Sequence, residues 1–223
     1  MGHITIKIDL PDEWHKERAK GIGGSDVACI LGLNKYKSNV DLWREKTGRI
    51  KADTKSISNK PAVIYGKKAE EYLRELFILD YPQYEITHSP YNIHKHKDYD
   101  FMRASLDGEL KEIKTQEKGI LEIKTTTILN PEQWKEWDGQ IPYNYFCQLL
   151  HYFAVDEDFK FAKLKAKIRY FKPNDPEIYA TIRHYHILRE NHLQDIEYLT
   201  EQEKIFWNYV ITDKEPPLKL PNI

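Results

Sequence analysis

Apolar residues recur at helical spacing over residues 61–80, where Ala69, Tyr72, Leu73, Leu76, Phe77 and Leu79 recur every three to four positions. The spacing predicts a helix there. A shorter helix is expected over 12–20, opened by Pro11 and Asp12, and another from Ser38 through Lys46, with Ser38 and Asp41 as a variant capping box and Gly48 as its stop. Between them, the turn Gly21-Ile22-Gly23-Gly24-Ser25-Asp26 leads into the apolar run 27–31. Ser25 is expected to cap that run and Gly32 to end it. Residues 49–60 are polar and read as a loop. From 84 to 126 the period shortens to two. Residues 102–110 and 119–126 flank a charged turn and predict a hairpin. An aromatic-rich helix follows over 142–155. Residues 161–171 then alternate Ala162, Leu164, Ala166 and Ile168 against Lys163, Lys165, Lys167 and Arg169, a half-buried strand. A strand over 177–188 and a helix over 189–210 complete the pattern. Helices first, then strands, then mixed elements predict an α/β layer fold around a central sheet. One domain over 1–223 is expected, with a helical N-terminal part (1–60) and a core (61–223).

Composition narrows the classes. The 223 residues are 40 % hydrophobic and 31 % charged, with mean hydropathy −0.70. That excludes disorder, and no apolar run approaches the ~18 residues of a membrane span. The start lacks the features of a signal peptide, and Cys29 and Cys147 both lie in apolar stretches, so a cytoplasmic protein with reduced core thiols is expected. Lys plus Arg is 34 and Asp plus Glu is 35, a net charge of −1. This balance neither supports nor excludes nucleic acid, because phosphate affinity depends on where the cations lie.

The chemistry concentrates in Ser105-Leu106-Asp107-Gly108 and Leu121-Glu122-Ile123-Lys124. On a strand Glu122 and Lys124 share a face, while Leu121 and Ile123 point to the opposite layer. Pairing of the two segments brings Asp107 beside Glu122. Two carboxylates forced together repel, and a divalent cation relieves the repulsion. A water acidified by such a cation attacks a phosphodiester, and Lys124 steadies that water or the charge that develops. Taken alone, Glu-x-Lys also suits an ordinary polar strand face. Glu70 offers a third carboxylate or a solvated helix face. Gln148 and Tyr152, four apart, share one helical face and need polar partners there, or form a polar helix edge.

In order, these residues resemble the lambda exonuclease and YqaJ-type viral recombinase family, the phage-type alkaline exonucleases. The pieces are Trp14-His15-Lys16-x-Arg18, Gly21-Ile22-Gly23-Gly24-Ser25-Asp26, Leu31-Gly32, Asp41-Leu42-Trp43-x-x-Lys46-Thr47-Gly48, Gly66-x-x-x-Glu70, Ser105-x-Asp107-Gly108, Leu121-Glu122-Ile123-Lys124 and Gln148-x-x-x-Tyr152. The resemblance implies a restriction-endonuclease-like core with a central mixed sheet flanked by helices. It implies a Mg²⁺-dependent exonuclease (Mn²⁺ substituting) that degrades the 5′ strand of double-stranded DNA ends. By that likeness Glu70, Asp107, Glu122 and the Ile123 carbonyl ligate metal, Lys124 is the catalytic lysine and Gln148 steadies the lysine or the attacking water. Arg18 and Ser25, in the N-terminal part, grip the 5′-phosphate, with Gly24 and Tyr152 in support. A homotrimeric ring, a single-strand annealing partner, 3′ tails for recombination and a phage or prophage origin in a bacterial cytoplasm are further implications. Leu106 stands where the family often has proline, and an extra ligand at Asp98 or Asp100 stays open.

Two other readings compete: an endonuclease or junction resolvase of the same fold, and a non-catalytic ring that binds DNA ends. The row Lys163–Arg169 is read as a charged outer strand face rather than a DNA path. Trp134 and Trp137 are read as exposed. His94-x-His96 and His184-x-His186 are expected to be solvated strand faces rather than zinc ligands.

Overall fold

The computed structural model describes residues 3–6, 10–51 and 58–220. Two sheets divide the strands. The smaller has the order β1-β4-β5-β2, from β1 (His3–Ile6), β4 (Ile93–His96), β5 (Met102–Ala104) and β2 (Ile22–Gly23). The larger has the order β3-β6-β7-β8-β9, from β3 (Tyr84–Thr87), β6 (Gly108–Glu112), β7 (Lys118–Ile128), β8 (Phe159–Phe171) and β9 (Ile178–Leu188). β7 and β8 run parallel and the other pairs of this sheet are antiparallel, so it is mixed. The helices are α1 (Pro11–Ala19), α2 (Gly24–Ile30), α3 (Asn39–Lys46), α4 (Pro61–Asp80), α5 (Pro131–Lys135), α6 (Tyr143–Val155) and α7 (Leu193–Ile211). The parallel β7–β8 pair needs a crossover, and α5 and α6 supply it.

The two faces of β7 meet different layers. Leu121 and Ile123 pack with Ala69, Leu73 and Phe77 of α4. Ile120 and Ile128 pack with Leu149, Leu150 and Phe153 of α6 in the main core. Of the six positions on α4 that the helical spacing picks out, Ala69, Leu73 and Phe77 are buried, whereas Tyr72, Leu76 and Leu79 are exposed. Pro61 at the first turn costs this helix no hydrogen bond. Cys29 and Cys147 are buried free thiols, and burial pushes their pKa up to about 12 and about 11.

Several expectations change. The strand expected over 102–110 breaks at 105–107, where the chain leaves the small sheet as β5 and joins the large one as β6. The cap of α2 is Gly23, not Ser25, because the Asp26 carboxylate accepts from Gly23 N at 3.1 Å. The Ser38–Asp41 box is present. Trp137 is buried, its carbonyl accepting from Tyr185 Oη at 2.8 Å, while Trp134 is half-buried. His94 and His96 are buried rather than solvated, and His96 Nδ1 accepts from the amides of Asp98 and Tyr99. Part of the polar segment 49–60, residues 52–57, lies outside the described residues.

Candidate active site

The site lies where the chain changes sheets. Gly108 pairs with Leu121 across β6 and β7, so the preceding residue, Asp107, arrives beside Glu122. Asp107 Oδ2 accepts from Ile123 N at 2.7 Å, which fixes this carboxylate on the β7 backbone between Glu122 and Lys124. Lys124 Nζ lies 2.5 Å from Glu122 Oε1. Gln148, on α6, closes the triangle: its Oε1 accepts from Lys124 Nζ at 3.0 Å and its Nε2 donates to Glu122 Oε1 at 2.8 Å. Gln148 Nε2 also lies 2.5 Å from Tyr152 Oη, and Tyr152 Oη donates to Ser105 O at 3.0 Å. The polar pair Gln148 and Tyr152 thus finds its partners in this cluster.

Glu70 reaches the same cleft from α4. Arg74, one turn later, donates from Nη2 to Glu70 Oε1 at 2.5 Å and from Nε to Asp107 O at 2.7 Å. The cleft measures about 380 Å³, and Glu70, Asp107, Glu122, Lys124, Gln148, Arg18 and His88 are among the residues lining it.

Electrostatics mark the cluster as short of positive charge. Burial, then Asp107, pushes Glu122 up to about 8. Glu70 is raised by burial and by Asp107, and Asp107 is raised by burial. Burial opposes the Lys124 charge, yet Glu122 and Asp107 outweigh it and hold the lysine above its ordinary value. Glu122 is 1 % exposed and its Oε2 is buried with no hydrogen-bond partner.

A divalent, oxygen-seeking cation fits this donor set. Asp107 and Glu122 could hold it, with Glu70 beside them, and the unsatisfied Glu122 Oε2 is an acceptor in want of a positive partner. Among the described residues, no group of three His, Cys, Asp or Glu side chains is placed to hold a metal ion by itself. Each of the three carboxylates has an oxygen committed to a protein donor: Lys124 and Gln148, Ile123 N, or Arg74. Asp98 and Asp100 do not line the cleft, and the Asp100 carboxylate instead pairs with Lys95 and Arg103.

Arg18 of α1 lines the cleft, and the glycine-rich turn packs behind it. Arg18 Nη2 donates to Ser25 Oγ at 3.2 Å, and Ser25 is exposed. Behind them, Asp26 takes Lys46 Nζ at 2.8 Å and anchors the turn. A Cβ on Gly24 would come within 2.7 Å of Gln148 Cγ and 2.8 Å of Tyr152 Cε1, so only glycine lets the turn sit against α6. Sequence reasoning missed Arg74 and His88. The spacing of Glu70 and Arg74 at i, i+4 was the available sign for the first. His88 follows β3, and nothing near it in sequence points to the cleft.

The fold and the clustered Asp107, Glu122, Lys124 and Gln148 define a restriction-endonuclease-like α/β protein with an acidic, lysine-bearing cleft. The YqaJ-like viral recombinase domain matches residues 13–158, and the chain belongs to that family. It is 38 % identical over 144 residues to YqaJ of Bacillus subtilis, covering 65 % of this chain and 42 % of that protein. The chain thus spans about two fifths of the length of that curated relative. An alkaline exonuclease from Laribacter hongkongensis, LHK-Exo, shares the fold with a TM-score of 0.60 at 16 % identity, over 91 % of this chain and 93 % of that one. Its complex with dAMP gives a TM-score of 0.57 with the same identity and coverage.

Proposed function

We propose that this protein is a metal-dependent deoxyribonuclease that degrades the 5′ strand of double-stranded DNA ends. The observation that carries the reading is the convergence of Asp107, Glu122, Lys124 and Gln148 in one cleft that Arg18 also lines. Support comes from the family and from LHK-Exo, an alkaline exonuclease of the same fold that has been crystallised with a mononucleotide.

Hydrolysis adds one water across a P–O bond, releasing a mononucleotide and leaving a shortened strand. Asp107, Glu122, the Ile123 carbonyl and Glu70 would hold Mg²⁺, or Mn²⁺ in its place, which would supply Lewis acidity for the hydrolysis. The protein does the rest. Lys124 brings a fixed ammonium to the charge that builds on phosphorus in transit. Gln148, bonded to both Lys124 and Glu122, holds the amine's direction. Arg18 offers a planar fork to a terminal phosphate, and Ser25 Oγ adds a hydroxyl beside it. Arg18 sets the polarity in this reading, because it and Lys124 line one cleft and a 5′-phosphate taken by Arg18 brings the 5′ end of a strand into it. Resection of this kind leaves 3′ single strands for an annealing partner, and a closed trimeric ring keeps the enzyme on its substrate. A bacterial cytoplasm, in a phage or prophage context, suits that role.

The test is purified protein with Mg²⁺ and linear duplex carrying a label at one end. Release of mononucleotides from 5′-phosphorylated ends is expected, with Arg18→Ala losing the preference for 5′-phosphate over 5′-hydroxyl. Digestion from 3′ ends overturns the polarity. Cutting of covalently closed circles replaces the exonuclease with an endonuclease.

A further inference from the structure

The basic row on β8 is not one surface. In its first half, Lys165 is fully buried with Nζ 3.0 Å from Asp80, and Lys163 is half-buried over the Tyr84 ring. Its second half differs. Arg169 stacks 3.9 Å from the Tyr65 ring centroid, Lys167 lies 5.8 Å from the same ring, and Arg169 Nη2 donates to Thr127 Oγ1 at 2.8 Å. Arg169 Nε has no partner. Neither Lys167 nor Arg169 meets a carboxylate among the described residues, and both are half-exposed. On α4, Lys67 and Lys68 follow Tyr65, exposed and likewise without an ion pair among the described residues.

Lys167 and Arg169 over one tyrosine, with Lys67 and Lys68 next to it in sequence on α4, make four cations without an ion pair among the described residues. We infer that Tyr65, Lys167 and Arg169, with Lys67 and Lys68 beside them, form a second phosphate-binding surface that grips the duplex backbone away from the cleaved bond. The geometry suits this. Tyr65 stands five residues before Glu70 on α4, about 7.5 Å along the axis at 1.5 Å per residue. At about 3.4 Å per nucleotide of one strand, that is roughly two nucleotides from the cleft. The tyrosine ring holds the guanidinium flat; with Nε buried and Nη2 on Thr127, Nη1 is the group left for a phosphate oxygen. No base edge is read, so the contact is independent of sequence. The inference rests on DNA being the substrate.

The experiment is fluorescence anisotropy of a blunt, 5′-phosphorylated duplex without divalent metal, over a series of KCl concentrations. Each phosphate contact contributes about 0.9 to the slope of log affinity against log salt. The double variant Lys167→Gln/Arg169→Gln is expected to lower that slope by about 1.8, and Lys167→Gln alone, which leaves the Arg169 stack intact, by about 0.9. Arg169→Lys keeps the charge and is expected to keep most of the slope. Lys114→Gln, in the β6–β7 turn, is the control. A steep salt dependence in the native protein that is unchanged in Lys167→Gln and in the double variant overturns the inference and leaves the nuclease reading standing. Absence of any salt-dependent DNA binding in the native protein overturns both.

Discussion

Gln148 and Lys124 hold the same oxygen of Glu122. The amide donates to Oε1 at 2.8 Å, and the ammonium lies 2.5 Å from it. One carboxylate oxygen is thereby saturated and turned inward, while Oε2 is left buried and unsatisfied. This asymmetry separates the roles of the three side chains. Lys124→Met is expected to abolish hydrolysis while duplex binding persists, since the proposed mechanism has the residue act on the charge of the transition state. Gln148→Leu keeps the lysine but frees its direction, and a loss of about 10²–10³ in kcat is expected, the range seen when one preorganised donor is removed. Single-turnover digestion at saturating DNA checks both. Undiminished cleavage by Lys124→Met removes the lysine from the chemistry.

Arg74 bridges two of the acidic residues through different atoms. Its Nη2 holds the Glu70 side chain, and its Nε holds the main chain of Asp107. The helix-borne and loop-borne carboxylates are therefore set in one frame by a single guanidinium. Arg74→Met is expected to weaken Mn²⁺ binding by about 10- to 100-fold, as loss of an outer-shell partner does elsewhere. Arg74→Lys recovers part of this, because one ammonium cannot reach both acceptors with the fork geometry of arginine. Titration calorimetry with Mn²⁺ on the DNA-free protein reads the effect. Equal affinity in all three proteins refutes the framing role.

Gly24 lies in the contact between the glycine-rich turn and α6. An added methyl meets Gln148 Cγ and the Tyr152 ring at under 3 Å. Gly24→Ala is expected to cost about 1–3 kcal/mol of stability, the usual scale of overpacking. It also displaces Gln148, so a loss of kcat beyond the stability change is expected. Urea unfolding together with kinetics at a temperature well below the transition separates the two. Full activity in a folded Gly24→Ala protein shows that Gln148 does not depend on the turn.

The carboxylate–lysine set was legible because period-two alternation is a local property. Glu122, Lys124 and the opposite-facing Leu121 and Ile123 follow from it, and the i, i+4 spacing of Gln148 and Tyr152 is equally local. What was hidden depends on tertiary partners. Residues 105–107 look like the middle of a strand, yet they change sheets, because Tyr152 Oη takes the Ser105 carbonyl and Arg74 takes that of Asp107. Asp26 outcompetes Ser25 as the local cap partner because its carboxylate returns to the Gly23 amide. The alternating lysines of β8 resemble a solvated face, but α4 covers Lys165 with Phe77 and offers it Asp80. His94 and His96 alternate like exposed residues, yet β4 lies inside the small sheet between β1 and β5.

The Asp26–Lys46 pair gives the fold an acid-sensitive point outside the carboxylate cluster. Burial alone would raise the Asp26 pKa. Lys46 at 2.8 Å, with the Gly23 amide, more than offsets it and holds Asp26 below its ordinary 3.8. A carboxylate with a depressed folded-state pKa binds fewer protons when folded than when unfolded. Its stabilisation is therefore present in full above the ordinary value and is lost as pH falls through the folded value, in the window below about pH 4. Asp26→Asn removes the charge and leaves the half-buried Lys46 with the Gly21 carbonyl at 2.6 Å as its remaining acceptor, so about 1–3 kcal/mol is expected to be lost at neutral pH, the scale for an unpaired charge-assisted bond. The variant should also lose less stability than the native protein between pH 5 and pH 3. Thermal unfolding of both proteins across that range decides it: parallel pH profiles show that Asp26 titrates alike in the folded and unfolded chain.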